Sequence, residues 1–280
     1  MQVFKLANFA ASNSKTMDTL GYFVSIFIGI SLGLIGGGGS ILTLPVLVYL
    51  FGINPVLATA YSLFIVGITS LFGTFSNFKK GLVSIKTALV FGIPSIISVF
   101  LTRTYVLPAI PEAVLSIGNF TLTKNIFLLL LFAVLMILAS YSMIKKSKAA
   151  SEETSQKTFN YPLVLAQGIF IGLITGLIGS GGGFLIIPAL VNLLRLPMKT
   201  AVGTSLLIIS LNSLAGFLFS LHDTAIDWIF LLKITGFAIA GIFIGMALSK
   251  KIKAERLKLG FGWFVLAMGL YILIKETLLH

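Results

Sequence analysis

The residues in this chain best placed to do chemistry are glycines. "GLIGGGGSILTLP" runs from Gly33 to Pro45 and "GLIGSGGGFLIIP" from Gly176 to Pro188, so a dense cluster of small residues precedes a proline twice, each time inside an apolar run. Glycine leaves its N–H uncovered by a side chain and admits positive φ, and a helix starting just after such a turn directs its positive end at whatever sits there. The product is an anion site made from backbone. Its candidate contacts are Gly36, Gly37, Gly38, Gly39 and Ser40 in the first cluster and Gly179, Ser180, Gly181, Gly182 and Gly183 in the second. Gly21, Ser25, Gly29 and Gly33, and likewise Gly168, Gly172 and Gly176, are spaced by four instead, which is the pattern of a packing seam between membrane helices. Neither cluster carries the Lys-Ser/Thr of a soluble phosphate loop or the full dinucleotide-binding spacing.

The two clusters belong to an internal repeat. Position 188 minus position 45 is 143, and that offset also pairs Gly29 with Gly172, Gly33 with Gly176, Gly36 with Gly179, Gly38 with Gly181, Gly39 with Gly182, Ala58 with Ala201 and Gly73 with Gly216, without a gap. Polar positions match too: Ser62 with Ser205, Thr69 with Asn212, and Ser70 with Ser213. Singly, such residues are interhelical hydrogen-bond partners. Paired across a repeat, Ser62, Ser205, Thr69 and Asn212 become candidates for the lining of a central cavity.

Other chemistries find no residues. With no cysteine there are no disulfides, thiolate metal sites or Cys nucleophiles, and only His222 and His280 could supply imidazole. Ser180 in "IGSGG" could be imagined as a nucleophile, but a serine needs a base, and no span contains a histidine, an aspartate pair or a metal-ligand cluster. No enzyme, cofactor or metal is expected. All eight acidic residues, Asp18, Glu112, Glu152, Glu153, Asp223, Asp227, Glu255 and Glu276, fall at or beyond the ends of the apolar pieces, which leaves no carboxylate relay inside the membrane. Lys233 reads as the deepest charge, long enough to snorkel to the surface. The net charge of +12 is the lysine and arginine excess of cytoplasmic loops rather than a nucleic-acid footprint.

The elements that must position the glycines are membrane helices. At 57% hydrophobic and 10% charged residues, with a mean hydropathy of +1.07, the 280-residue chain has more apolar surface than one soluble core could hide. Residues 1–19 read as an N-terminal tail without the apolar region of a cleaved signal peptide. Residues 20–144 form a first membrane repeat with pieces at about 20–36, 39–51, 55–77, 87–107 and 125–144. Residues 145–160 form a lysine-rich cytoplasmic linker, and residues 161–280 a second repeat with pieces at about 161–178, 182–194, 199–221, 228–249 and 259–275. After its third piece the first half carries Lys79, Lys80 and Lys86, whereas the second carries His222, Asp223 and Asp227. After the fourth piece the bias reverses: a long loop with only Arg103, Glu112 and Lys124 in the first half, "KKIKAERLK" in the second. The positive-inside rule then makes the halves upside down relative to one another. An even number of crossings for each glycine-containing pair of pieces satisfies this, and the short second arm favours a re-entrant hairpin. The expected fold is therefore an all-α polytopic membrane protein of two inverted-topology repeats, each a glycine-broken re-entrant helix hairpin plus three transmembrane helices.

"GLIGGGGSILTLPVLVYLFG" followed by "TAYSL", and its echo "GLITGLIGSGGGFLIIPALVNLLRLPMKTAVGTSL", resemble the TauE/SafE sulfite exporter family of bacterial and plant membrane transporters, over essentially the whole chain. The resemblance implies a multi-pass protein of the cell membrane, in bacteria the inner membrane, moving a small sulfur oxyanion or organosulfonate such as sulfite or sulfoacetate. The partners it implies are a small anion and the lipid bilayer. Tyr61 stands where the second repeat has Thr204, so the identity of the anion does not carry over. A secondary transporter working by alternating access is expected, with a passive anion channel as the alternative.

Overall fold

The computed structural model describes residues 21–117, 120–144, 161–192, 194, 196–221, 226–249 and 254–278. The N-terminal tail, the 145–160 linker, His222 and Asp223 lie outside them. In chain order come α1 (Gly21–Ile35), a 3-10 turn (Gly36–Leu42) entering a short arm α2 (Gly39–Leu50), α3 (Pro55–Phe78) and α4 (Ile85–Ala109). A β-hairpin of β1 (Ala113–Ile117) and β2 (Phe120–Thr123) leads to α5 (Lys124–Ile144). The second half holds α6 (Tyr161–Ile178), α7 (Gly183–Asn192), α8 (Met198–Ser220), α9 (Trp228–Leu248) and α10 (Ala254–Leu278). The pieces read from hydropathy thus recur as helices with ends shifted by a few residues.

Local chemistry explains several boundaries. Asn54 caps α3 by accepting the Val56 N–H at 2.9 Å, and Pro55 occupies the first helical position, where its missing N–H costs nothing. Asp227 caps α9 through the Phe230 N–H at 3.0 Å. Pro45 marks the change from α to π geometry in α2, while Pro188 lies inside α7. The expectation of helices alone fails between α4 and α5. There β1 and β2 pair antiparallel, and the Lys124 N–H donates to the Glu112 carbonyl at 2.9 Å, so the stretch taken for an open loop closes on itself. A short hairpin outside the apolar helices leaves no periodic signal strong enough to read.

Among the described residues, six helices, α3, α4, α5, α8, α9 and α10, contain segments long and apolar enough to cross a bilayer. The 10 residues of α7 rise roughly 15 Å against a hydrocarbon core of about 30 Å. The outward faces are apolar, with Phe27, Phe75, Leu138 and Ile229 all more than half exposed, as suits a surface solvated by lipid. The chain is a multi-pass membrane protein. At its centre α3 packs on α8, flanked by α4 against α6 and by α1 against α9, while α5 and α10 pack on each other. This arrangement brings the two glycine turns together.

Candidate functional site

The turns touch backbone to backbone. A β-carbon on Gly37 would stand 2.5 Å from the Cα and carbonyl oxygen of Gly183, and one on Gly183 would strike the Gly37 backbone in the same way. No other residue type permits this approach.

The two turns differ in how they fold. In the first, Gly36 to Leu42 wind into a 3-10 turn that includes Gly38, Gly39 and Ser40, and the Ser40 hydroxyl donates to the Gly37 carbonyl at 2.8 Å. In the second, α6 ends as the Gly179 N–H donates to Thr175 at 2.9 Å, and α7 begins with Leu185 and Ile186 donating to Gly182 at 3.0 and 3.2 Å. Between those ends the N–H groups of Ser180, Gly181 and Gly182 have no acceptor among the described residues. The sequence accounts for the asymmetry, because the serine that tightens the first turn at position 40 is replaced by Gly183 in the second. The two turns are therefore not equivalent: one is wound and the other open.

Contacts around the turns recur with the halves exchanged. Gly36 (φ +71°) lies against Val202 and Gly179 (φ +74°) against Thr59, where 59 plus 143 is 202. Gly29 lies against Ala238 and Gly172 against Ser95, where 95 plus 143 is 238. Gly73 faces Leu206 and Ile242, and Gly216 faces their counterparts Leu63 and Val99. Gly181 (φ +70°) sits between a matched pair, Val66 of α3 and Ile209 of α8, with the Ser213 hydroxyl beside it.

Val66 shares a helix face with Ser62, Thr69 and Ser70, and Ile209 shares one with Ser205, Asn212 and Ser213, by spacings of three and four. All of these polar residues are buried. Among the described residues, the hydroxyls of Ser62, Thr69, Ser70, Thr175, Ser180 and Ser213 have no hydrogen-bond partner, and neither has Oδ1 of Asn212, whose Nδ2 donates to Ser95 Oγ at 2.6 Å. Ser205 differs, since its hydroxyl donates to the Val202 carbonyl at 2.8 Å. An unpaired buried polar group costs about 1–3 kcal/mol, so this collection weighs against stability and suits a polar ligand that would satisfy several of them. Ser95, Ser70, Thr175 and Ser213 join the candidate residues of the sequence reading. Ser70 and Ser213 were legible as a repeat pair, whereas Ser95 has Ala238 as its counterpart and gave no such signal.

The charges require one correction. Lys233 is exposed, whereas Arg103, which belongs to the π-helical turn Thr102–Val106 inside α4, is only 6% exposed. Its Nη1 donates to the Thr59 hydroxyl at 3.0 Å. Glu276 lies two residues from the C-terminal end of α10, where it is buried and accepts a hydrogen bond from the Tyr49 hydroxyl at 2.9 Å.

Residues 22–272 match the model of the family described as Sulfite exporter TauE/SafE. The chain belongs to that family. It is 32% identical over 255 residues, covering 89% of this chain and 92% of the relative, to a "Probable membrane transporter protein" of Xylella fastidiosa strain 9a5c. It is 27% identical to the "Probable membrane transporter protein YunE" of Bacillus subtilis, covering 84% of this chain and 91% of that one. A similar relative in Methanocaldococcus jannaschii, "Probable membrane transporter protein MJ0441", is 27% identical over 90% of this chain and 93% of its own. No solved structure matches. This TauE/SafE protein is thus a membrane transporter rather than an enzyme, and its glycine turns lie inside the matched region.

Proposed function

We propose that the protein is a secondary transporter of a small sulfur oxyanion or organosulfonate, of the size of sulfite or sulfoacetate, in a cell membrane that in bacteria is the inner one. The observation that carries this reading is the group of buried hydroxyls without a partner among the described residues: Thr175 and Ser213 beside the open turn at Ser180–Gly182, Ser180 within it, and Ser62, Thr69 and Ser70 on the face of α3 that holds Val66. An anion accepts hydrogen bonds from hydroxyls and from bare backbone N–H groups alike. The binding residues we assign are the two turns, Gly36–Ser40 and Gly179–Gly183, with Ser62, Ser205, Thr69 and Asn212 on the facing helices. The family description supports a sulfur anion as cargo.

The exchanged contacts support a reading of alternating access. Two halves related by a 143-residue offset, domains 20–144 and 161–280, support the reading as inverted repeats whose glycine-broken hairpins enter and leave on the same side. A state open to one side and its mirror are then close in energy, and a ligand at the shared centre serves both. The chain contains no cysteine, so single cysteines read accessibility without background. With a membrane-impermeant thiol reagent, Asn54→Cys and Asp227→Cys should label from outside, while Lys80→Cys and Ser249→Cys label only after the membrane is opened. In the same assay, added sulfite should change the labelling of Ser62→Cys and Ser205→Cys in opposite directions. Labelling of Ser249→Cys from outside overturns the inverted arrangement. Equal, sulfite-independent labelling of positions 62 and 205 favours a passive channel.

A further inference from the structure

The guanidinium of Arg103 is held in an arrangement that packing does not require. It is 94% buried, given its 6% exposure, and lies about six residues, or roughly 9 Å, inside the Ala109 end of α4. One nitrogen, Nη1, is fixed by the Thr59 hydroxyl, which itself donates to the Val56 carbonyl at 2.7 Å. The other two, Nε and Nη2, have no hydrogen-bond partner among the described residues. These two donors form one edge of the planar group, the edge that matches two oxygens of a single oxyanion. Among the described residues no carboxylate is paired with it.

The arginine sits beside the open glycine turn. Thr59, to which it is tied, presents its backbone against Gly179, and the adjacent Thr102 lies against Gly176. The offset of 143 gives position 246 as the counterpart of 103, and that residue is Met246, buried beside Gly33. The same position in the fold is therefore cationic next to the open turn and apolar next to the wound one. An uncompensated buried charge is costly, and replacing it by a well-packed apolar residue is often neutral or stabilising. Met246 shows that an apolar side chain serves the position.

We propose that Arg103 is the specificity-determining residue of the anion site: its free Nε–Nη2 edge binds two oxygens of one oxyanion at the open turn, selecting oxyanions over spherical halides. This rests on the anion-transport reading above. The same fork could instead hold the phosphate of a lipid headgroup, which shares the chemistry of paired oxygens.

The test uses purified protein in detergent free of phospholipid, with sodium sulfite, sodium sulfoacetate and sodium bromide as probes in calorimetry, alongside thermal unfolding without ligand. Wild type should bind sulfite or sulfoacetate more tightly than bromide. Arg103→Lys keeps a charge but loses the fork, and should weaken oxyanion binding at least tenfold while changing bromide binding less than threefold. Arg103→Met, which copies the counterpart residue, should unfold at the same or a higher temperature and bind none of the three measurably. If wild type binds sulfite or sulfoacetate and both variants bind them equally well, the assignment to Arg103 is wrong and the transport reading stands. If wild type binds no probe in detergent, but gains thermal stability from phosphatidylglycerol vesicles in an Arg103-dependent way, the fork holds lipid and the proposal is overturned. If wild type binds no probe and gains nothing from the vesicles, both this inference and the sulfur-anion reading fail.

Discussion

Replacing Gly37 or Gly183 with alanine is expected to disrupt the centre of the molecule, at a cost of about 3 kcal/mol or more. The added methyl group on Gly37 would stand 2.5–2.6 Å from three backbone atoms of Gly183, well inside van der Waals contact. A flexible side chain could swing aside, but here the obstacle is backbone, held between α6 and α7. Relief requires separating the two turns, and with them the contacts of Gly36 with Val202 and of Gly179 with Thr59. Gly92→Ala and Gly236→Ala supply the comparison, because a β-carbon at either meets nothing within 4 Å and both lie in helix interiors, where alanine is favoured over glycine by roughly 0.5–1 kcal/mol. Thermal unfolding in detergent should separate the pairs cleanly. If Gly37→Ala and Gly183→Ala unfold like wild type, the turns do not meet as described.

Removing the unpartnered hydroxyls should move stability and binding in opposite directions. Thr69→Val, Ser180→Ala and Ser213→Ala each delete a buried oxygen that has no partner among the described residues. Without ligand, that deletion is neutral or stabilising, by up to about 1–3 kcal/mol, since the cost of the unpaired group is lost with it. If the same oxygen serves an anion, affinity for sulfite falls about tenfold per hydrogen bond removed, which corresponds to about 1.4 kcal/mol. Calorimetry beside thermal unfolding distinguishes this from a packing role, which would give lower unfolding temperatures and unchanged affinity. The pattern is one of stability spent at a functional site.

The repeat, the six spans and the two broken arms were legible because bilayer length and the glycine clusters leave strong signals. Contact between Gly37 and Gly183 was not, since it depends on how α3 and α8 pack, and no local pattern states that. Nor was the difference between the turns. "GGGGS" and "GSGGG" look interchangeable until Ser40 is seen to reach the Gly37 carbonyl, closing one turn while its counterpart stays open. Arg103 fell inside the piece read at about 87–107 but was counted with the loop that follows it, whereas the helix continues to Ala109. The repeat offered a way to find it, because position 103 aligns with Met246 in the apolar run "FIGMAL", and a charge at an apolar position of a repeat signals a demand that packing does not impose.

The central claim, a carrier that moves a small sulfur oxyanion through a site shared by both halves, is tested most directly by counterflow. Proteoliposomes containing the purified protein are loaded with millimolar unlabelled sulfite and diluted into a trace of labelled sulfite. A carrier predicts transient accumulation of label above its equilibrium level, saturable by internal sulfite and reduced in Asn212→Leu. Entry that rises to equilibrium without overshoot, or no protein-dependent entry of sulfite or sulfoacetate, would contradict it.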